Sequence, residues 1–117
     1  MYVKDYLEVP AEAAGADGLT ARWVINATQG ATNFAMCIYE LQPGKTTPFH
    51  QHDHEHEIFV FEGCGQLTTP QDVVEIRPGA AIFIPSGEQH QFSNTGNALL
   101  RMVGVMNFAP VLPKLQS

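Results

Sequence analysis

At 117 residues the chain has the size of one domain and is long enough to bury a single core. Its apolar fraction of 44%, with 10 glycines and 8 prolines, is that of an ordinary folded protein, and no apolar run approaches the length of a membrane span. The net charge is −6 and the six basic residues are scattered singly from Lys4 to Lys114, which argues against nucleic acid or anionic membrane as a partner.

In chain order, the opening "MYVKDYLEV" carries Lys4, Asp5 and Glu8, which interrupt any secretory apolar region, so a cytoplasmic location is expected. "PAEAAGA", Pro10 to Ala16, is the one helix-favouring patch and predicts a turn or two of helix. Beyond it come short runs rich in Val, Ile, Phe and Thr: "RWVI", "FAMCIYEL", "EIFVFE", "QLTT", "VVEI", "AAIFI", "HQFS" and "LLRMVGVM". Turn signals such as "TQGATN", "QPGK", "EGCG", "RPGA" and "PSGE" separate them. Short β-type runs at that spacing predict an all-β sandwich or barrel, one domain over residues 1–117. Cys37 and Cys64 stand far from any CxxC spacing and are expected to be small buried hydrophobes.

"PFHQHDHEHEIFVFEG", residues 48–63, holds four of the five histidines. His50 and His52 are two apart, so in an extended chain both imidazoles face one side. "QHDHEH" is too polar for a buried strand throughout, which predicts a loop around Asp53 to Glu55 and a strand from His56. In that strand His56, Ile58 and Val60 share one face, and Glu57, Phe59 and Phe61 share the other. The fifth histidine, His90, follows a Pro-Ser-Gly turn in "GAAIFIPSGEQHQFSN" and opens a strand with Phe92 on its own face. By itself each histidine is equally a packed or solvated side chain; the two segments together suggest a metal site.

Here the sequence resembles the cupins. Gly44, His50, His52 and Gly63 fall at the fixed positions of cupin motif 1, over residues 44–63. Gly79, Pro85, Gly87, His90 and Asn94 fall at those of motif 2, over residues 79–94. The glutamate position of motif 1 departs. Three residues separate His52 from His56 and six separate His56 from Gly63, so the spacing places His56 in that position, with Glu57 the rival.

The resemblance implies a cupin jelly-roll (double-stranded β-helix) barrel of two antiparallel sheets. It further implies a divalent transition metal (Mn, Fe, Zn, Ni or Cu) held by His50, His52, His56 and His90. Such a donor set leaves open positions and therefore has a catalytic form. Four neutral histidines keep the site at +2, which favours an anionic or chelating oxygen ligand. The expectation drawn is a small-molecule metalloenzyme, oxidising or cleaving a chelating substrate with iron or manganese and dioxygen. The rival readings are a non-catalytic ligand- or metal-sensing module and an isomerase or lyase.

Phe49 and Phe92, together with Ile58, Leu100, Met102, Gly104 and Met106 on the inward parity of their strands, are expected around the ion. Glu57 is the catalytic candidate only if its side chain turns inward, and His54 is expected to be a loop residue that is either solvated or supports the ligands from outside the metal. A homodimer is expected, with "MYVKDYLEV" along a neighbour's sheet edge; the tail "NFAPVLPKLQS" is the alternative cover for the chain's own barrel.

Overall fold

The computed structural model describes residues 1–107; the tail expectation lies almost wholly outside them. The strands are β1 (Glu12–Ala13), β2 (Leu19–Ile25), β3 (Phe34–Leu41), β4 (His56–Glu62), β5 (Gly65–Thr68), β6 (Val73–Ile76), β7 (Ala81–Ile84), β8 (Gln91–Asn94) and β9 (Leu100–Asn107). They form two antiparallel sheets, one of order β1-β2-β3-β9-β4-β7 and one of order β6-β5-β8. The all-β expectation holds, and every β-type run in the sequence became a strand. Among the described residues no helix is long and apolar enough to cross a membrane.

One element differs. The "PAEAAGA" patch is not helical: Glu12 and Ala13 pair with Ala21 and Thr20 as the edge strand β1. An isolated helix that short is marginal in water. The turn through Gly15 and Gly18, both at positive φ, brings the patch back along β2, where ladder hydrogen bonds replace helical ones. Helical turns flank it instead: a 3-10 turn over Tyr6–Glu8, whose start is capped by the Asp5 carboxylate, and another over Ala27–Gln29.

Alternation sets the two faces of the large sheet. In β4 His56, Ile58 and Val60 are buried, whereas Glu57 and Phe59 are exposed. In β9 Leu100, Met102, Gly104 and Met106 are buried. Leu41, Val60, Leu67, Ile76, Leu100 and Met102 belong to the main core between the sheets. Gly63 makes the turn from β4 to β5 at φ 83°, and a Cβ there would run into the Leu99 carbonyl. Asn94 ties the same end: its Nδ2 donates to Leu41 O (2.8 Å) and Ala98 O (2.9 Å), and its Oδ1 accepts from Gly96 N (2.9 Å). Cys37 is buried as expected, but Cys64 is exposed, because the turn at Gly63 leaves its side chain outside both sheets.

The outer face of β2, β3 and β9 carries a charged cluster. Glu40, 5% exposed, lies between Arg22 Nε (2.8 Å) and Arg101 Nε (3.0 Å), and Arg101 Nη1 also reaches Glu62 (3.1 Å). Arg22 Nη1 donates to Val9 O at 2.7 Å, and the Tyr6 ring packs edge-on against Phe61. The segment Asp5–Val9 is therefore fastened to its own barrel. Removing the shared acceptor leaves two guanidinium groups facing each other in a poorly hydrated place. Glu40→Ala is expected to lower the unfolding free energy by about 2–3 kcal/mol in urea titration. A loss under about 0.5 kcal/mol would show that the cluster contributes only as a solvated surface pair does.

Candidate metal centre

The site begins with backbone pairing. The irregular stretch before β4 runs antiparallel to the start of β8, with His50 N donating to His90 O (3.1 Å) and His90 N to His50 O (2.8 Å). Thr47 N donates to Phe92 O (2.8 Å) on one side of this pair, and Gly87 N to His52 O (2.7 Å) on the other. Residues directly opposed in an antiparallel pair project to the same side. The His50 and His90 rings accordingly meet at 4.6 Å, and the His52 ring lies 4.6 Å from the first and 5.2 Å from the second.

One donor nitrogen from each of His50, His52 and His90 can be chosen so that all three lie within 4.8 Å of one another. Nitrogens bound to a common ion at about 2.1 Å stand roughly 3.4 Å apart in a tetrahedral arrangement, so small side-chain shifts close the set. The tautomers suit that role. His50 Nδ1 lies 2.6 Å from Pro48 O and His90 Nδ1 lies 2.9 Å from Glu88 O. A carbonyl only accepts, so both Nδ1 atoms carry the proton and both Nε2 atoms present a lone pair.

His56 stands beside this group and not within it, its ring 5.7 Å from those of His52 and His54. It is the first residue of β4, in register with Ile84 and Met106. Both its ring nitrogens are buried and neither has a hydrogen-bond partner. Burial, followed by the neighbouring histidines, pushes its pKa down to about 3; burial likewise lowers that of His90. Both rings are thus neutral at physiological pH. A buried neutral imidazole with unused nitrogens loses its hydration without replacement, and a cation would supply the missing partner. The residues fit a divalent metal.

The remaining site expectations divide. His54 is not solvated: it is 8% exposed and its ring stacks on His52 at 5.0 Å. The loop is held inward by Ser86 Oγ donating to Asp53 O (2.7 Å) next to the Gly87–His52 bond, which turns position 54 toward the barrel. Glu57 is on the exposed face of β4 opposite Phe83 and Val105, so parity keeps its carboxylate from the cavity and removes it as a catalytic candidate.

A cavity of about 320 Å³ adjoins the histidines, and Leu19, Ile58, Phe92 and Met102 form its apolar wall. Phe49 is 41% exposed and outside that wall, being of opposite parity to His50. Leu100 is packed in the core instead, and Met106 borders a neighbouring cavity. Gly104 contributes room, not a surface: a Cβ there would lie 2.7 Å from Tyr39 Cε2 and 3.2 Å from His56 Nε2.

Sequence reasoning missed Tyr39, Thr47 and Pro48, which also line the cavity. The alternation Ala35, Cys37, Tyr39, Leu41 in β3 was the available signal for Tyr39. Burial raises the pKa of its hydroxyl and pushes the neighbouring Cys37 thiol up to about 12, so both stay protonated.

Two antiparallel sheets with histidines from two separated segments converging beside an apolar cavity define a jelly roll with a cluster that could hold a metal. The chain belongs to the cupin domain family, whose model matches residues 37–106. It is 32% identical to Protein SchB of Streptomyces halstedii over 89 residues, 74% of this chain and 62% of that one. It is 30% identical to polyketide synthase CurC of Streptomyces cyaneus over 88 residues, 74% of this chain and 56% of that one. The chain thus spans less than two thirds of the length of these two relatives. Among solved structures it is similar to the polyketide cyclase RemF from Streptomyces resistomycificus, with a TM-score of 0.86 and 37% identity over 92% of this chain and 79% of that one.

The depressed pKa of His56 has a consequence for the metal-free protein. Unfolded histidine titrates near 6.5 and His56 in the fold near 3, so between those values the unfolded chain binds the extra proton. Stability should therefore be insensitive to this residue above pH 6.5 and fall as pH drops below it, by about 1.4 kcal/mol per pH unit. Urea titrations in chelator at descending pH should show His56→Gln with a slope shallower by about that amount. Coincident slopes for the two proteins would mean that His56 is not held neutral by the fold.

Proposed function

We propose that this chain is a divalent-metal-dependent cyclase acting on a β-polyketone. His50, His52 and His90 hold the ion, and His56 joins them as a fourth ligand once it is bound. What carries this reading is the convergence of three imidazoles on the edge of an apolar cavity, in a chain 37% identical to a polyketide cyclase over most of its length.

When bound, the cation supplies Lewis-acid polarisation of carbonyl oxygens and a positive charge that favours the enolate of a β-diketone. The protein residues do the rest. The Pro48 and Glu88 carbonyls fix the tautomers of His50 and His90, so the donor atoms are aimed before substrate arrives. Four uncharged imidazoles leave the full divalent charge for the substrate's two oxygens. Leu19, Ile58, Phe92 and Met102 exclude water and hold a folded chain with its reacting carbons close together.

Ring closure joins an enolate carbon to a carbonyl carbon of the same molecule, and the carbonyl oxygen leaves as water. It requires no oxidant. The iron- or manganese-dependent oxidation expected from the histidine set is supported less well, since the chain's similarity is to proteins whose names concern polyketide synthesis and cyclisation.

His52→Ala should abolish stoichiometric metal in elemental analysis and cut turnover by on the order of 100-fold or more. Glu57→Gln should leave both unchanged. Metal-loaded protein incubated with a linear poly-β-ketone should yield a ring product one water lighter, with no oxygen uptake. Oxygen consumption in step with product, or full turnover by metal-free protein, would overturn the cyclase reading.

A further inference from the structure

The histidines face a second cavity as well. It has a volume of about 1020 Å³, against about 320 Å³ for the first, so the two bracket the usual range of small-molecule sites. His52, His56, Tyr39 and Ala14 border both, His50 and His90 only the first, and His54 only the second. The metal-binding group therefore forms a partition that two chambers share.

Their chemistry differs. The smaller chamber is walled by aliphatic and aromatic side chains. The larger one adds the polar residues Glu12, Asn26, Thr28 and Gln29, and on the inward face of β2 it exposes the indole of Trp23. Trp23 is the chain's sole tryptophan. Its place is secured by the register with Cys37 across β2 and β3, and Val9, Pro10 and Glu12 to Ala14 add to the lining, fastened through β1 and the Arg22–Val9 hydrogen bond.

We propose that the larger chamber is a distal-substrate subsite. It receives the part of an extended, oxygen-rich, partly aromatic substrate remote from the reacting β-diketone, stacking it on Trp23 and hydrogen-bonding it along the Glu12 and Thr28 wall. This rests on the chelating-substrate reading above and adds a length and a composition to it. A ligand no longer than one β-diketone fills the small chamber alone. A multi-ring ligand passes Tyr39 and occupies both.

The test uses zinc-loaded full-length protein and two probes: acetylacetone, which is one diketone unit, and danthron, a three-ring anthraquinone with paired hydroxyl and carbonyl oxygens. Both are expected to bind in calorimetry. Danthron should shift the single indole N–H resonance of Trp23, and acetylacetone should not. Trp23→Leu should weaken danthron roughly three- to tenfold, the range of an aromatic contact, and leave acetylacetone within twofold. Thr28→Trp, which fills the larger chamber from its exposed rim, should weaken danthron at least as much and spare acetylacetone.

Danthron binding with the indole resonance unmoved and both variants at wild-type affinity overturns the subsite and leaves the metal site standing. If neither probe binds zinc-loaded protein, the chelating-substrate reading falls and takes the subsite with it. Equal loss of both probes in the variants also overturns it, since that is damage to the shared partition.

Discussion

The site depends on one pair of backbone hydrogen bonds, those exchanged between His50 and His90. Without them the stretch from Thr47 to His52 has no regular partner, because β4 begins only at His56. With them, and with the Thr47–Phe92 and Gly87–His52 bonds on either side, a loop becomes the edge of the small sheet. Each such bond contributes only about 1 kcal/mol to stability. Their larger effect is geometric: an opposed pair in an antiparallel ladder must send both side chains the same way. Two histidines forty residues apart in sequence thus become neighbours through main-chain pairing, before either ring makes any contact of its own.

From that pairing follows the electrostatic character of the centre. Both histidines use Nδ1 to satisfy a carbonyl two residues earlier, so the loop that places each ring also chooses its tautomer. Burial keeps His56 and His90 uncharged, and Tyr39 protonated. Among the described residues no carboxylate side chain lines the smaller cavity. Lone pairs are therefore concentrated where no compensating negative charge exists, which is a poor place for a proton and a good one for a doubly charged ion.

Much of this was legible in the sequence, and two of the gaps have a non-local cause. Period-two alternation from His56 onward told which residues of β4 and β9 face inward, and the histidine spacing singled out the residues that converge. Both signals are local. His54 was left open between solvent and a place beside the ligands because its burial depends on Asp53 being tied to Ser86, a contact thirty-three residues away that polarity alone does not announce. The "PAEAAGA" patch was misread because its alanines speak for a helix only in isolation, whereas an unpaired edge of β2 was available to them. Phe49 was placed in the pocket although it neighbours an inward histidine; strict parity already turned it out, as it did Glu57.

Gly104 shows how the two cavities come to share the histidines. It lies in the centre of the large sheet, opposite Cys37 on one side and Ile58 on the other. A glycine inside a strand is costly, by roughly 0.5–1 kcal/mol relative to alanine, and offers nothing to pack. Here the missing side chain is what lets the Tyr39 ring lie against β9 with His56 Nε2 close above the same spot. A methyl group would have to displace one of them, and every course open to it enters a chamber: Tyr39 and His56 border both. The position of the partition is thus set by an absence in the strand behind it, and the stability given up at Gly104 is the cost of keeping a buried imidazole exposed to both chambers.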